Sequence, residues 1–238
     1  MVRLLTLAAL GQFAVIFPAE TVEASPKSDI TRLAIVREPV PTYARPGRKR
    51  TGRIPPTWYG HRTILPIIGT RPGWVRVRLA QRPNGSTAWV RDHRVRHGRT
   101  PYRIVVDLSR TRLTLYRAGR RVLKVPAGVG TAEHPTPAGR FFVAFQEPRL
   151  HPPYVPFLLV TSAHAVPDGA SDPLVAIHGP LDGARQIGVT GTRISHGCIR
   201  LHTHDLRKLR RVPPGTPIDI LRRTPSAPKR QPARPSGA

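Results

Sequence analysis

Alternating apolar and charged residues predict that most of this chain folds as short β-strands. Residues 74–79, Trp-Val-Arg-Val-Arg-Leu, have the two-residue period of a strand with one buried face. The sequence Pro83-Asn84-Gly85-Ser86 is a turn signal that follows this segment. Further apolar pieces lie at residues 33–36, 39–43, 63–68 and 88–90. Five short strands with tight turns predict a small barrel over residues 33–99.

The second half of the chain also predicts strands. Three segments, residues 103–108, 112–116 and 121–126, are separated by short turn candidates, which predicts an antiparallel sheet. Further strands are expected at residues 141–145, 157–161, 175–177 and 217–220. The best helix covers residues 204–211, with Leu206 and Leu209 facing inward and prolines ending it. The fold class is therefore mainly β with short helices.

Prolines exclude regular structure between Gln146 and Pro156, because four of these residues are proline. Tyr154 lies in this segment, which is interpreted either as a loop over a functional site or as a plain surface connector. Both interpretations stay open at this stage.

The charge of the chain indicates an anionic partner. Lys and Arg number 39 against 13 Asp and Glu, a formal net charge of +26. Nucleic acid, an anionic cell-wall polymer and a membrane surface are the candidates, and an arginine-rich genome would give the same bias. No zinc-finger, RRM or helix-turn-helix pattern accompanies the arginines, so nucleic acid is not expected as a specific partner.

The two ends of the chain differ from the rest. Residues 1–24 contain an apolar stretch from Leu4 to Ala19 and a small-residue boundary, which predicts a secretory signal; a buried N-terminal helix is the alternative. Export to the periplasm or cell wall follows from the first interpretation. Residues 25–32 are expected to be a linker, and the basic, proline-rich residues 224–238 a disordered tail.

A candidate nucleophile stands near the C-terminal end. Cys198 is the only cysteine, and it follows Ser195, His196 and Gly197 in a polar turn. His178 lies upstream at the end of a predicted strand. A thiol and an imidazole at such positions fit nucleophilic catalysis, although a lone cysteine is more often an inert apolar residue. A neighbouring imidazolium would hold the pKa of Cys198 below its free value of about 8.5.

These residues resemble the signature of the L,D-transpeptidases with a YkuD-type catalytic domain: a histidine, sixteen residues, then Ser-His-Gly-Cys-Ile-Arg. The resemblance extends over residues 101–223 and includes Gly128-Val129-Gly130, residues 136–142 (Thr-Pro-Ala-Gly-Arg-Phe-Phe) and residues 217–220. Residues 33–99 resemble a bacterial SH3-like domain. The implied fold is an SH3-like barrel followed by a YkuD-type β-sandwich, each able to fold alone.

The resemblance also implies roles for individual residues. Cys198 would be the nucleophile and His178 the base, oriented by the Gly179 carbonyl. The backbone N–H groups of Gly197 and Cys198 would hold the oxyanion. His196 competes with His178 for the proton and is assigned a supporting role. Arg200, Ser195 and Tyr154 are candidates for substrate binding, and Ser195 either bonds His178 or shapes the turn.

The implied reaction is acyl transfer between peptidoglycan stem peptides with release of a terminal D-amino acid. An L,D-carboxypeptidase on the same site and a non-catalytic basic wall-binding protein are the alternatives. No cofactor is implied. A zinc site built from His196, Cys198, His202, His204 and Asp205 is not expected, because a second cysteine and helical ligand spacing are missing.

Overall fold

The computed structural model describes residues 29–148, 156–167, 171–189 and 191–222. The predicted signal segment, the predicted tail and Tyr154 lie outside these ranges, as do residues 25–28 of the predicted linker. Most described residues belong to strands, which confirms the mainly β fold class. Within the described ranges, no helix has the length and apolar character needed to cross a membrane.

Nine strands lie within the described residues 29–100. They are β1 (Thr31–Ile35), β2 (Val40–Tyr43), β3 (Arg50–Ile54), β4 (Thr57–Trp58), β5 (His61–Arg62), β6 (Ile64–Arg71), β7 (Trp74–Arg78), β8 (Thr87–Arg91) and β9 (Arg96–Thr100). Seven of them form the N-terminal sheet, in the order β3-β2-β8-β7-β6-β1-β9, and β4 pairs with β5. A single 3-10 turn, Asp92–Arg94, joins β8 to β9.

The five strands expected in this region are present as β1, β2, β6, β7 and β8, with shifted ends. The sequence pattern does not predict the short pair β4 and β5. It also does not predict β3 and β9, which are the outer strands of the sheet. Both are mostly exposed and rich in arginine, so neither shows the apolar alternation by which buried strands are found. The expected linker is also shorter than predicted, because β1 begins at Thr31.

The C-terminal part contains a second large sheet. Its elements are β10 (Tyr102–Asp107), β11 (Arg112–Arg117), β12 (Arg120–Pro126), β13 (Val129–Gly130), β14 (Gly139–Glu147), β15 (Leu158–His164), β16 (Leu174–His178), β17 (Arg193–Ser195), β18 (Ile199–Arg200), α1 (Thr203–Lys208) and β19 (Pro217–Leu221). Eight strands form the C-terminal sheet, in the order β12-β11-β10-β19-β14-β15-β16-β18. Strand β13 pairs with β17 separately.

The antiparallel run β10-β11-β12 confirms the predicted hairpins. The helix differs from the prediction, because α1 spans Thr203–Lys208 rather than residues 204–211. Its last turn tightens at Leu209, whose N–H bonds the carbonyl of Leu206. Leu206 and Leu209 are both fully buried, so the predicted inward face is confirmed.

Two hydrophobic cores hold the chain together. The first lies within the C-terminal part, among residues such as Ile104, Phe157 and Ile218. The second is shared between the sheets: Val75 and Val90 of the N-terminal sheet, with Val36 directly after β1, belong to one buried cluster with Phe142, Phe145 and Ala176 of the C-terminal sheet, among others. A shared core argues against the expectation that residues 101–223 fold alone, because removing the N-terminal sheet would expose one of their faces.

Candidate active site

Parallel pairing of β16 with β18 brings the predicted catalytic residues together. Ile177 lies opposite Ile199 and His178 opposite Arg200. Ile177 and Ile199 are buried in the first core. Because side chains alternate along a strand, His178 and Arg200 project from the other face. Cys198 directly precedes β18, and its sulfur lies 3.5 Å from the Ala176 N on β16. Residues far apart in sequence therefore lie close together, on or directly beside adjacent strands.

His178 is held by the carbonyl that the resemblance implies. Its Nδ1 lies 2.8 Å from Gly179 O, and because a carbonyl only accepts, Nδ1 carries the proton. Nε2 is then the basic nitrogen. Burial lowers the pKa of His178 to about 4, against the opposing effect of the Gly179 hydrogen bond, and the Arg200 charge lowers it further. The imidazole is therefore neutral at pH 7.

Cys198 is partly buried, and its sulfur faces strand β16. The N–H of Ala176 lies 3.5 Å from Sγ, and Sγ lies 4.0 Å from the Leu174 carbonyl oxygen. Burial raises the pKa of the thiol, although the Ala176 N–H and the Arg200 charge act in the opposite direction. The expected low-pKa thiolate beside an imidazolium is therefore wrong for the resting site, which pairs a neutral thiol with a neutral imidazole.

Ser195 and Gly197 build the turn before the nucleophile. Ser195 is buried; its Oγ donates to Cys198 O at 2.6 Å and accepts from the Gly197 N–H at 3.2 Å. Ser195 therefore shapes the turn, one of the two alternatives, rather than facing a substrate. Gly197 has a φ of +111°, and a Cβ there would lie 3.0 Å from the Ala165 Cβ, so glycine is required.

Thr136 is a site residue that was not expected from the sequence. Its hydroxyl donates to Gly197 O and accepts from the Gly130 N–H, both at 2.9 Å. Gly128 also exchanges two backbone hydrogen bonds with Arg200, each 2.8 Å long. Residues 128–130 and Thr136, which belong to the resemblance, thus hold the backbone before and after Cys198. Their place in that pattern is the sequence signal from which Thr136 could have been found.

Arg200 is mostly buried, with 12% of its side chain exposed. Its Nη1 lies 3.3 Å from Asp182 Oδ1, and its buried Nε has no hydrogen-bond partner among the described residues. His196, in contrast, is exposed, and its ring lies 4.6 Å from that of His134, centroid to centroid. The structure thus places Arg200 beside the nucleophile and His196 on the outside of the turn.

Comparison with known proteins agrees with this arrangement. A family model described as the L,D-transpeptidase catalytic domain, YkuD, matches residues 101–220. The putative L,D-transpeptidase YkuD of Bacillus licheniformis is 31% identical over 121 residues, covering 50% of this chain and 66% of the relative. The probable L,D-transpeptidase ErfK/SrfK of Salmonella typhimurium is 32% identical over 178 residues, covering 66% of this chain and 55% of the relative.

Among solved structures, an L,D-transpeptidase from Enterococcus faecium matches at 27% identity with a TM-score of 0.41, covering 50% of this chain and 49% of that one. The chain thus aligns with only 66% and 55% of the length of the two curated relatives named above. The family model, however, covers half of this chain and includes the whole candidate site. The chain belongs to the family of YkuD-type L,D-transpeptidase catalytic domains.

The raised pKa of Cys198 gives a testable labelling profile. The rate of iodoacetamide labelling should rise with a midpoint above about 8.5, because the thiolate forms only above the free-thiol pKa. His178→Ala should leave this midpoint nearly unchanged, since a neutral imidazole does not stabilise the thiolate, but should cut turnover about 10²- to 10⁴-fold. His196→Ala serves as the matched control and should lower turnover much less. A wild-type midpoint below 8.5 would restore the ion-pair description.

Proposed function

We propose that this protein is an L,D-transpeptidase that acts on peptidoglycan stem peptides through an acyl-enzyme on Cys198. The observation that carries the proposal is the pairing of β16, which ends at His178, with β18, which begins directly after Cys198, in a chain that belongs to this family. A non-catalytic wall-binding role would not require a thiol and an oriented imidazole at these two positions.

The neutral resting pair determines how the reaction begins. As Cys198 Sγ attacks the carbonyl carbon of the donor stem, the thiol proton passes to the basic nitrogen of His178. Collapse of the tetrahedral intermediate breaks the bond to the terminal D-residue, whose amine leaves with the proton from His178. The acceptor amine then attacks the thioester, gives its proton to His178 and releases Cys198, which takes that proton back.

The oxyanion of the intermediate needs backbone donors near Cys198. In the resting turn the Gly197 N–H is bonded to Ser195 Oγ at 3.2 Å. That bond is long, so the N–H can turn toward the oxyanion as the sulfur forms its new bond. Arg200, beside the nucleophile with donors to spare, is proposed to bind a substrate carboxylate, and Tyr154 stays a proposed contact.

The test is mass spectrometry of the purified protein with a tetrapeptide stem, with and without an acceptor amine. Transpeptidation predicts an acyl-enzyme mass, a released D-residue and a cross-linked product that increases with acceptor concentration. If the product is only the shortened stem at every acceptor concentration, the carboxypeptidase alternative is correct. If the enzyme stays unmodified and the stem stays intact, both the transpeptidase and the carboxypeptidase proposals are wrong.

We also propose that residues 33–99 form an SH3-like module and that the chain is exported through residues 1–24. The separate seven-stranded sheet built from residues 31–100 supports the first proposal. The second rests on the sequence pattern and on the position of the substrate outside the cytoplasmic membrane. A signal-peptide fusion to a periplasmic reporter tests export, and a cytoplasmic reporter signal would contradict it.

A cleft between the two sheets supports an anionic cell-wall polymer as a partner. Arg76, Arg78, Arg103 and Arg140 line a cavity of about 520 Å³ together with Asp219. Asp219 is already paired with Arg103, whose Nη2 and Nε lie 2.6 and 2.7 Å from Asp219 Oδ2. Burial, with the charges of Arg140 and Arg76, lowers the pKa of Arg78 despite Asp219. The cleft thus holds excess positive charge, which fits a phosphate-bearing polymer.

Binding to isolated cell wall should therefore depend on salt and on this cleft. We expect Arg78→Met with Arg140→Met to weaken binding about tenfold at low salt, the loss of one or two charge-assisted hydrogen bonds. The control, Arg112→Met with Arg121→Met, removes the same charge from another arginine-lined cavity and should cost about twofold. Equal losses would mean that only net charge matters, and salt-insensitive binding would contradict the polyanion proposal.

A further inference from the structure

The turn between β7 and β8 of the N-terminal sheet reaches the C-terminal sheet near the nucleophile. Asn84 makes two reciprocal hydrogen bonds with the backbone of His164: its Nδ2 donates to His164 O at 2.8 Å, and the His164 N–H donates to its Oδ1 at 2.9 Å. A neighbouring strand would supply the same pair of bonds. Asn84 therefore fixes the end of β15 as an extra strand would.

Arg82, from the same turn, bridges two points of the C-terminal part. Its Nη2 donates to Ala165 O at 2.6 Å and its Nε to Asp172 Oδ1 at 2.7 Å. Ala165 directly follows β15, and Asp172 comes shortly before β16. One planar guanidinium thus joins the end of one strand to the start of the next, alongside the backbone bond from the Ala165 N–H to Pro173 O at 2.9 Å.

Both of these points lie close to the nucleophile and its turn. Ala165 packs against Gly197, where even one added Cβ would lie 3.0 Å from the Ala165 Cβ. Leu174, two residues after Asp172, places its carbonyl oxygen 4.0 Å from Cys198 Sγ. A shift at either point would therefore move the turn that carries Cys198 or change the surroundings of its sulfur.

A buried imidazole completes the network. His164 Nδ1 lies 2.9 and 3.0 Å from the two carboxylate oxygens of Asp172, and its side chain is 7% exposed. The hydrogen bonds from His164 and Arg82 both lower the pKa of Asp172. The carboxylate thus stays charged at neutral pH and holds both partners.

We propose that Arg82 and Asn84 are positioning residues of the active site, through which the N-terminal sheet fixes the strand ends close to Cys198. Their role as parts of a catalytic device rests on the proposed function. The Arg82–Asp172 ion pair is 37% and 50% exposed on its two sides, so its contribution to overall stability is small. Its effect is geometric, since a displacement of about 1 Å in an active site costs about 10²-fold in rate.

The test uses the full-length protein with Arg82→Ala and Asn84→Ala. We expect each change to lower kcat about tenfold or more while KM changes less than about twofold, because substrate contacts stay and the alignment of Cys198 is lost. Iodoacetamide labelling of Cys198 should become faster, by about threefold or more, because the loosened wall exposes the thiol. Slower turnover together with faster labelling, at a temperature where circular dichroism shows a folded protein, separates misalignment from unfolding.

Arg94→Ala is the matched control. Arg94 belongs to the N-terminal sheet region, is 41% exposed and pairs with Glu38 at 3.1 Å, so its loss also breaks one exposed ion pair. It should change neither kcat nor labelling. Arg82→Lys should recover part of kcat, because a single ammonium can replace one of the two bonds but does not bridge both points.

Two outcomes would overturn the proposal: variants with wild-type kcat and labelling rates, or rate losses matched by Arg94→Ala. The labelling measurement needs no substrate. If the wild type shows no turnover on a stem peptide, the proposed function fails, while the effect of Arg82 on Cys198 is still decided by labelling.

Discussion

Cys198→Ala is expected to abolish acyl-enzyme formation and release of the terminal D-residue, a loss of at least about 10⁴-fold, without unfolding the chain. No other thiol is available, because Cys198 is the only cysteine. Other nucleophile replacements leave only the residual rate that the binding groups and oxyanion donors provide. The polar contacts of Sγ are long, 3.5 and 4.0 Å, so removing it costs about 1 kcal/mol of stability.

The measurement pairs release of the D-residue with circular dichroism and thermal unfolding of both proteins. Cys198→Ser is the matched control, since it keeps a hydroxyl nucleophile of similar size and should form at most traces of acyl-enzyme. A folded Cys198→Ala protein that still transfers acyl groups would mean that the nucleophile has been assigned wrongly. If Cys198→Ala unfolds, the side chain of Cys198 has a structural role. A folded but inactive Cys198→Ser protein would then show that the thiol is also the nucleophile.

Removal of the N-terminal sheet is expected to have the second largest effect. A protein of residues 101–222 should aggregate or behave as a loosely packed state, since Phe142, Phe145 and Ala176 would lose their cover. Phe145 also stacks on His61, with 4.3 Å between ring centroids. Exposing each large apolar side chain costs about 1.5–3 kcal/mol, so a few of them equal the whole stability of an ordinary domain.

The control for this deletion is a protein of residues 29–222, which keeps both cores and should stay folded. Near-ultraviolet circular dichroism, analytical ultracentrifugation and the iodoacetamide labelling rate give three independent measurements. A monomeric, cooperatively unfolding protein of residues 101–222 with the labelling rate of the full chain would show that the shared core is dispensable. It would also contradict the positioning role of Arg82 and Asn84, which that protein lacks.

Much of the fold could be predicted from local patterns. The strand β7, Trp74–Arg78, is found by its alternation because Val75 and Val77 are buried while Arg76 between them is exposed. Strands β3 and β9 could not be found in this way, because exposed outer strands rely on backbone pairing and carry no apolar pattern. The parallel pairings of β10 with β19 and of β16 with β18 join segments far apart in the chain, so no local pattern predicts them.

The sequence by itself determined the nucleophile candidate, the upstream histidine and the turn around Gly197, since these depend on residue identity and order along the chain. Only the tertiary structure decided their protonation, because burial of His178 and Cys198 beside Arg200 depends on packing from several strands. It also decided that Ser195 bonds the turn, that one core is shared by the two sheets, and that Arg82 reaches Ala165 and Asp172. Such contacts join residues far apart in the chain, and no local pattern records them.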